Sequence, residues 1–223
     1  MTDLTVLAVG AHPDDIELGC GATLWRHHRA GAHVIMVCVT DGMLGPGEVA
    51  KRQSEAHKAA KILGADLRML GLSDGATNPD ASMVRPIEAI LDEYHPQIIY
   101  THAEDDSHQD HRNTASAVIS AARNYTTILN FQSPSSRNFS PQLFVGLEPK
   151  DLKRKKRALR AHSTQVSNSA RVDLSAVDAA AHYWGSQART TMAEPFEVTR
   201  ALFGFHPSGR IVRWSPDGFS EGD

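Results

Sequence analysis

The segment Ala11-His12-Pro13-Asp14-Asp15 packs one imidazole and two carboxylates into four residues, directly after the apolar run Leu4 to Gly10. Two adjacent acids at a strand end need a counter-charge. Further on, His108-Gln109-Asp110-His111 supplies two more imidazoles and another carboxylate. A divalent metal ion is the simplest partner that unites the two clusters, because imidazole nitrogen and carboxylate oxygen are its ordinary donors. Two histidines and one carboxylate around zinc leave a fourth position open, which separates a catalytic site from a closed structural one. Zinc in such a site lowers the pKa of a water to roughly 7 and polarises a carbonyl, the two effects amide hydrolysis needs.

Asp14 and Asp15 are neighbours whose side chains diverge, so one can bind metal while the other acts as general base; spacing alone does not assign them. His108 and His111 stand at i and i+3 where a helix starts. Both can then face one crevice, one as ligand and the other as donor to an oxyanion or leaving amine. Asp110 is a natural partner to fix an imidazole tautomer. Either cluster alone also suits an exposed turn or a helix cap. Their joint occurrence after apolar runs favours the metal site. His27, His28, His33, His57, His95 and His206 have no acidic or histidine partner at ligand spacing and read as surface or core fillers.

These clusters must be positioned by a sheet. Leu4 to Gly10 and His33 to Val39 are continuous apolar runs rich in β-branched residues, the pattern of parallel strands covered on both faces. A crossover helix fits over Gly21 to Ala30, with Gly19-Cys20-Gly21 as its tight start around a small buried residue. The alternation continues with a helix from about Glu48 to Leu63, a strand near Leu67 to Leu70, a helix from about Ser82 to Glu93 and a strand at Gln97 to Thr101. Gly64 suits the C-terminal cap of the second helix. The order is α/β, with reactive groups collecting beyond the carboxyl ends of the strands.

Past residue 123, Gln132 to Asn138 reads as a loop able to wall the site, between apolar runs at Thr127 to Phe131 and Leu143 to Leu147. Lys150 to Arg160 carries seven Lys or Arg residues on a helix, read as a solvated face before a contact for an anionic substrate. Val172 to Ala188 reads as a final helix. One domain over residues 1–214 and a loose tail over 215–223 are expected, since 223 residues with 41% hydrophobic content suit one core.

A net charge of −3 gives no general attraction to nucleic acid or an anionic membrane, so a small-molecule partner is favoured. The apolar stretch Leu4 to Val9 is too short for a signal or spanning segment, and cytoplasmic residence is the expectation. Cys20 and Cys38 show no CxxC spacing and read as reduced core residues. Neither a GxGxxG nor a Walker pattern is present.

With these residues assembled, the chain resembles the LmbE-like, or PIG-L, family of zinc-dependent N-acetylglucosaminyl deacetylases. The likeness runs through Ala11-His12-Pro13-Asp14-Asp15-Ile16-Glu17-Leu18-Gly19-Cys20-Gly21, Arg52-x-x-Glu55, Leu63-Gly64 and the Asp110-His111 pair with His108. A looser echo continues through Lys156, His162 and Gln165 to Glu194 and Phe196. The resemblance implies a Rossmann-like three-layer fold with a mostly parallel central sheet. It implies metal ligands His12, Asp15 and His111, Asp14 as general base, His108 assisting the oxyanion, and Asp110 supporting the histidine pair. Arg52 and Asp74 look like substrate-contacting positions. Many relatives carry Glu after Thr-x-Gly at the second strand end; here Met43 follows Thr40-Asp41-Gly42.

The implied reaction is removal of the acyl group from an N-acetylated amino sugar or glycoconjugate, releasing acetate and a free amine. A zinc amidase acting on a thiol conjugate or another amide is the alternative, and a non-catalytic sugar-binding module a lesser one. Zinc is the expected ion, one per chain, with iron or cobalt able to use the same donors. Assembly into a homo-oligomer is compatible with this reading.

Overall fold

Alternate residues of the first strand leave for opposite sides, and this makes three layers. In the computed structural model, which describes residues 4–166, 172–202, 213–215 and 218–220, β1 (Thr5–Gly10) sends Val6 and Ala8 into one buried cluster and Leu7 and Val9 into another. The first cluster is covered by α1 (Asp15–Arg29), α2 (Val49–Leu63) and α5 (Pro149–Ala161). The second is covered by α3 (Ala81–Tyr94) and α4 (Gln109–Ala121). A strand apolar on both faces must be buried on both, and the uninterrupted apolar runs follow from that.

The other strands are β2 (His33–Thr40), β3 (Asp66–Leu72), β4 (Ile98–His102), β5 (Ile128–Phe131), β6 (Leu143–Gly146) and β7 (Ala193–Arg200). They form a seven-stranded sheet in the order β3-β2-β1-β4-β5-β7-β6. Pairing is parallel from β3 through β5 and antiparallel where β7 inserts between β5 and β6. This is the expected mixed α/β fold with a mostly parallel sheet. The chain leaves β1 toward β2 on one side and later enters β4 on the other, so the strand order reverses between β1 and β4. The crevice beyond their carboxyl ends is the position where open α/β sheets bind ligands.

Two local expectations need correction. The first helix begins at Asp15, not Gly21, and Cys20 is a kink inside it, with φ −140° and ψ 17°. The helix passes so close to β5 that a Cβ on Gly19 would lie 2.1 Å from Phe131 Cδ2. After the kink its amides start afresh: Ala22 and Thr23 donate backbone N–H to Glu194 at 3.1 and 2.7 Å. Nor is the basic α5 wholly a solvated face. Seven cations in eleven residues encircle the helix, and Lys155 is buried in an ion pair with Glu194 at 2.6 Å.

Gly64 caps α2 in the left-handed conformation at φ 70°, as its position suggested. Both cysteines are buried and free. α6 (Ser163–Val166) and α7 (Leu174–Gln187) follow α5. Within the stretch expected as a tail, Gly218–Ser220 (β9) pairs antiparallel with Arg213–Ser215 (β8). Residues 216–217, 221–223 and His206 lie outside the described residues. Among the described residues no helix is long and apolar enough to cross a membrane.

Candidate active site

Two loops build the site. The first runs from the end of β1 into α1, carrying His12, Asp14 and Asp15; the second runs from β4 into α4, carrying His102 through His111. Asp14 sits at the entry to α1 with φ 112°, a conformation that side-chain-bearing residues avoid, and strain of this kind persists where surrounding structure imposes it. Asp15 then turns back, its Oδ2 accepting the backbone N–H of His12 at 2.7 Å.

Single donor atoms of His12, Asp15 and His111 lie within 4.8 Å of one another. Asp15 Oδ2 is 3.2 Å from His12 Nδ1 and 3.4 Å from His111 Nε2. His102 Nε2 also stands 3.2 Å from Asp15, but it already accepts the Ala11 backbone N–H at 3.0 Å and so has no proton to offer. Burial, then the charge of His111, lowers the His102 pKa to about 4, so this ring is neutral. A buried carboxylate facing a nitrogen lone pair needs positive charge close by. Two imidazoles and a carboxylate converging on that point fit a zinc-type ion, so the donor set and the need agree. His12, His108 and Asp110, and His102, Asp106 and His111, form further groups of donors within the same distance.

Without an ion, protons carry that charge. Burial alone would lower the His12 pKa, but hydrogen bonds to Asp110, Asp15 and Asp74 raise it to about 12. His111 is likewise raised to about 9, burial being outweighed by Asp15 and by Asp106. Asp15 is held well below the usual carboxylate range against its burial, chiefly by His111. Asp14 goes the other way: burial and then the negative charge of Asp15 push it up to about 7. A carboxylate that shares protons near neutrality is suited to general-base work.

The remaining expected residues gather around this centre. Asp110 is fully buried and accepts from Gly75 N at 2.8 Å, Thr77 Oγ1 at 2.5 Å and His12 Nε2 at 3.2 Å, so its imidazole partner is His12. Asp74 holds His12 Nε2 at 3.1 Å with one oxygen and the Leu44 backbone N–H at 3.0 Å with the other. Arg52 is buried, its guanidinium donating to the backbone carbonyls of Gly42 and, at 3.3 Å, Pro13; it ties the loops after β2 and β1 together. His108 stacks on His111 with ring centroids 4.5 Å apart and caps α4. The expected loop wall is present, with Pro134 and Ser135 lining the same cleft of about 780 Å³ as His12, Asp14, Asp15, Arg52, Asp74, His108 and His111.

Sequence reasoning missed His102 and Asp106. His102 ends β4, and Asp106 accepts from His111 Nδ1 at 3.2 Å while Ser133, Ser136 and the His108 backbone N–H donate to it. The spacing Asp106-x-His108-x-x-His111 was a signal available in the sequence.

The fold and this site define an α/β protein whose strand-end crevice carries a His/Asp centre able to hold a metal ion. A family profile described as PIG-L: GlcNAc-PI de-N-acetylase matches residues 7–122, and the chain belongs to that family. It is 34% identical over 168 residues to the uncharacterized deacetylase YaiS of Escherichia coli K12, a match covering 71% of this chain and 90% of that one. Its structure is similar to the conserved protein TT1542 of Thermus thermophilus, with 25% identity and a TM-score of 0.80 over 94% of this chain and all of that one. The N,N′-diacetylchitobiose deacetylase of Pyrococcus horikoshii shares the fold with a TM-score of 0.78 at 21% identity, over 87% and 83% of the two chains.

Proposed function

We propose that the protein is a metal-dependent N-deacetylase, with zinc as the ion, acting on an N-acetylated amino sugar or its glycoconjugate and releasing acetate and a free amine. The observation that carries this reading is the convergence of His12, Asp15 and His111 donor atoms within 4.8 Å, with Asp14 in the same cleft. Family membership supports it, as does the diacetylchitobiose substrate of the Pyrococcus structural neighbour.

His12, Asp15 and His111 would hold the ion, which when bound supplies a Lewis acid for the amide carbonyl and lowers the pKa of water. Asp14 takes the proton of the attacking water, for which its pKa near neutrality is suited. His108, exposed at the start of α4 and stacked on His111, is placed to donate to the tetrahedral oxyanion. Asp110 and Asp74 hold His12 from behind. Arg52 keeps the Pro13 and Gly42 loops in register around the substrate.

An amine-release screen across N-acetylated hexosamines and glycosides, with and without added zinc, tests this. Metal-dependent release of acetate from an amino sugar is expected. Release only from thiol conjugates would overturn the sugar assignment, and bound metal without release from any substrate would overturn the enzyme.

A further inference from the structure

A second cavity, of about 350 Å³, lies beside the cleft and has no part in the chemistry above. Its wall includes the buried residues Leu147, Leu152, Ala181 and Ala193, together with Val177 and Trp184 of α7. Lys155 and Glu194 also border it, but they are paired at 2.6 Å and bring no net charge. The Trp184 indole N–H is taken up by Gln132 at 3.0 Å. The space is open where Asp173, Ala176 and Ala180 of the α7 side are exposed, and Gln132, Ser133 and Ser136 add polar atoms to a mainly apolar lining; its volume is that of a ligand pocket. At about 30 Å³ per water-sized group it has room for roughly ten.

Its position decides what it can hold. Leu18, Pro134 and Val172 line both this cavity and the cleft that contains the His/Asp centre. Leu18 stands one helical turn after Asp14, its N–H donating to the Asp14 carbonyl at 2.9 Å. The cleft's other lining residues include the polar Asp74, Ser107, His108, Gln109 and Arg112, with Leu44 as an exposed apolar member among them. An N-acyl amine has two unequal halves, a polar amine and an apolar acyl group. The polar wall suits the amine half, and the apolar side at Leu18, Pro134 and Val172 suits the acyl half.

Resting on the deacylase reading of the cleft, we propose that the cavity behind Leu18, Pro134 and Val172 receives an unbranched acyl chain well beyond acetyl in length, making the enzyme a medium-chain N-deacylase of amino sugars. In the reaction the amide C–N bond breaks; the oxygen of water goes to the released fatty carboxylate and both its hydrogens to the amine, which leaves as the ammonium form.

The test compares N-acetyl, N-butanoyl and N-octanoyl glucosamine, with octanoate and acetate as inhibitors. The zinc-loaded wild-type protein is expected to give a kcat/KM for the octanoyl substrate at least tenfold above that for the acetyl one. Octanoate should inhibit at concentrations at least tenfold below acetate. Ala181→Phe and Val177→Phe, each verified as folded by circular dichroism, should lower the octanoyl-to-acetyl ratio at least tenfold. If the acetyl substrate is cleaved and the octanoyl one is not, the cavity proposal fails and the deacetylase reading stands. If neither is cleaved, both fail. An unchanged ratio in both variants would also overturn the proposal, because the chain would then lie elsewhere.

Discussion

Asp106 Oδ2 lies 3.2 Å from Nδ1 of His111, leaving Nε2 of that ring on the side of Asp15. A carboxylate behind a ligating histidine fixes its tautomer and orientation and raises its basicity. Asp106→Ala should therefore weaken zinc affinity by about 10- to 100-fold while the protein still folds. Isothermal titration against a competing chelator measures this, and an unchanged affinity would show that Asp106 serves only the Ser133–Ser136 turn.

The conformation of Asp14 sets function against stability. Its φ of 112° and its buried carboxylate beside Asp15 are both unfavourable for folding. Asp14→Gly relieves the backbone strain and removes the acid, so the folded state should gain about 1 kcal/mol or more. Asp14→Asn keeps the strain. Both variants should lose turnover and retain metal, whereas His111→Ala should lose the metal itself. Urea melts, metal content and amine release separate these outcomes, and undiminished turnover in Asp14→Asn would remove Asp14 from its role.

The parts of this protein that were legible in the sequence were those set by local pattern. β1 and β2 are buried on both faces, and their composition records it. The two clusters follow strands, so topology brings His12 and His111 together once the sheet is parallel. What escaped was decided by distant partners. Glu104-Asp105-Asp106 is a run of three acids, and nothing within it singles one out; Asp106 turns inward because hydroxyls of Ser133 and Ser136, about thirty residues on, receive it. The kink at Cys20 depends on Phe131 and on Glu194 in β7, which joins the sheet from the far end of the chain. Lys155 looked like one more surface cation until that same Glu194 was in place.

Glu194 carries an unusual load, accepting from Ala22 N, Thr23 N, Thr23 Oγ1 and Lys155 Nζ, all within 3.1 Å. Breaking a buried pair by removing one charge leaves the other uncompensated, a loss of roughly 3 to 5 kcal/mol. Glu194→Gln should fall in or just below that range, since an amide still accepts from the helix amides. Lys155→Met together with Glu194→Gln should recover part of the loss. Equilibrium denaturation of the two variants measures both effects, and a Glu194→Gln midpoint equal to wild type would mean that the pair contributes nothing.

A pH-dependent stability term is expected from His162, whose Nε2 meets Glu17 Oε1 at 2.9 Å with both side chains nearly fully buried. Burial would lower its pKa, but the Glu17 charge and hydrogen bond raise it above 6.5. The unfolded chain releases this proton near pH 6.5, whereas the folded protein keeps it to a higher pH. The stabilisation is therefore fully present below about 6.5 and is lost as pH rises through the folded value. His162→Gln removes the titrating group, so its Tm should fall less than that of the wild type between about pH 6 and pH 9. Parallel Tm profiles for the two proteins across this window would show that His162 does not carry a proton in the folded state.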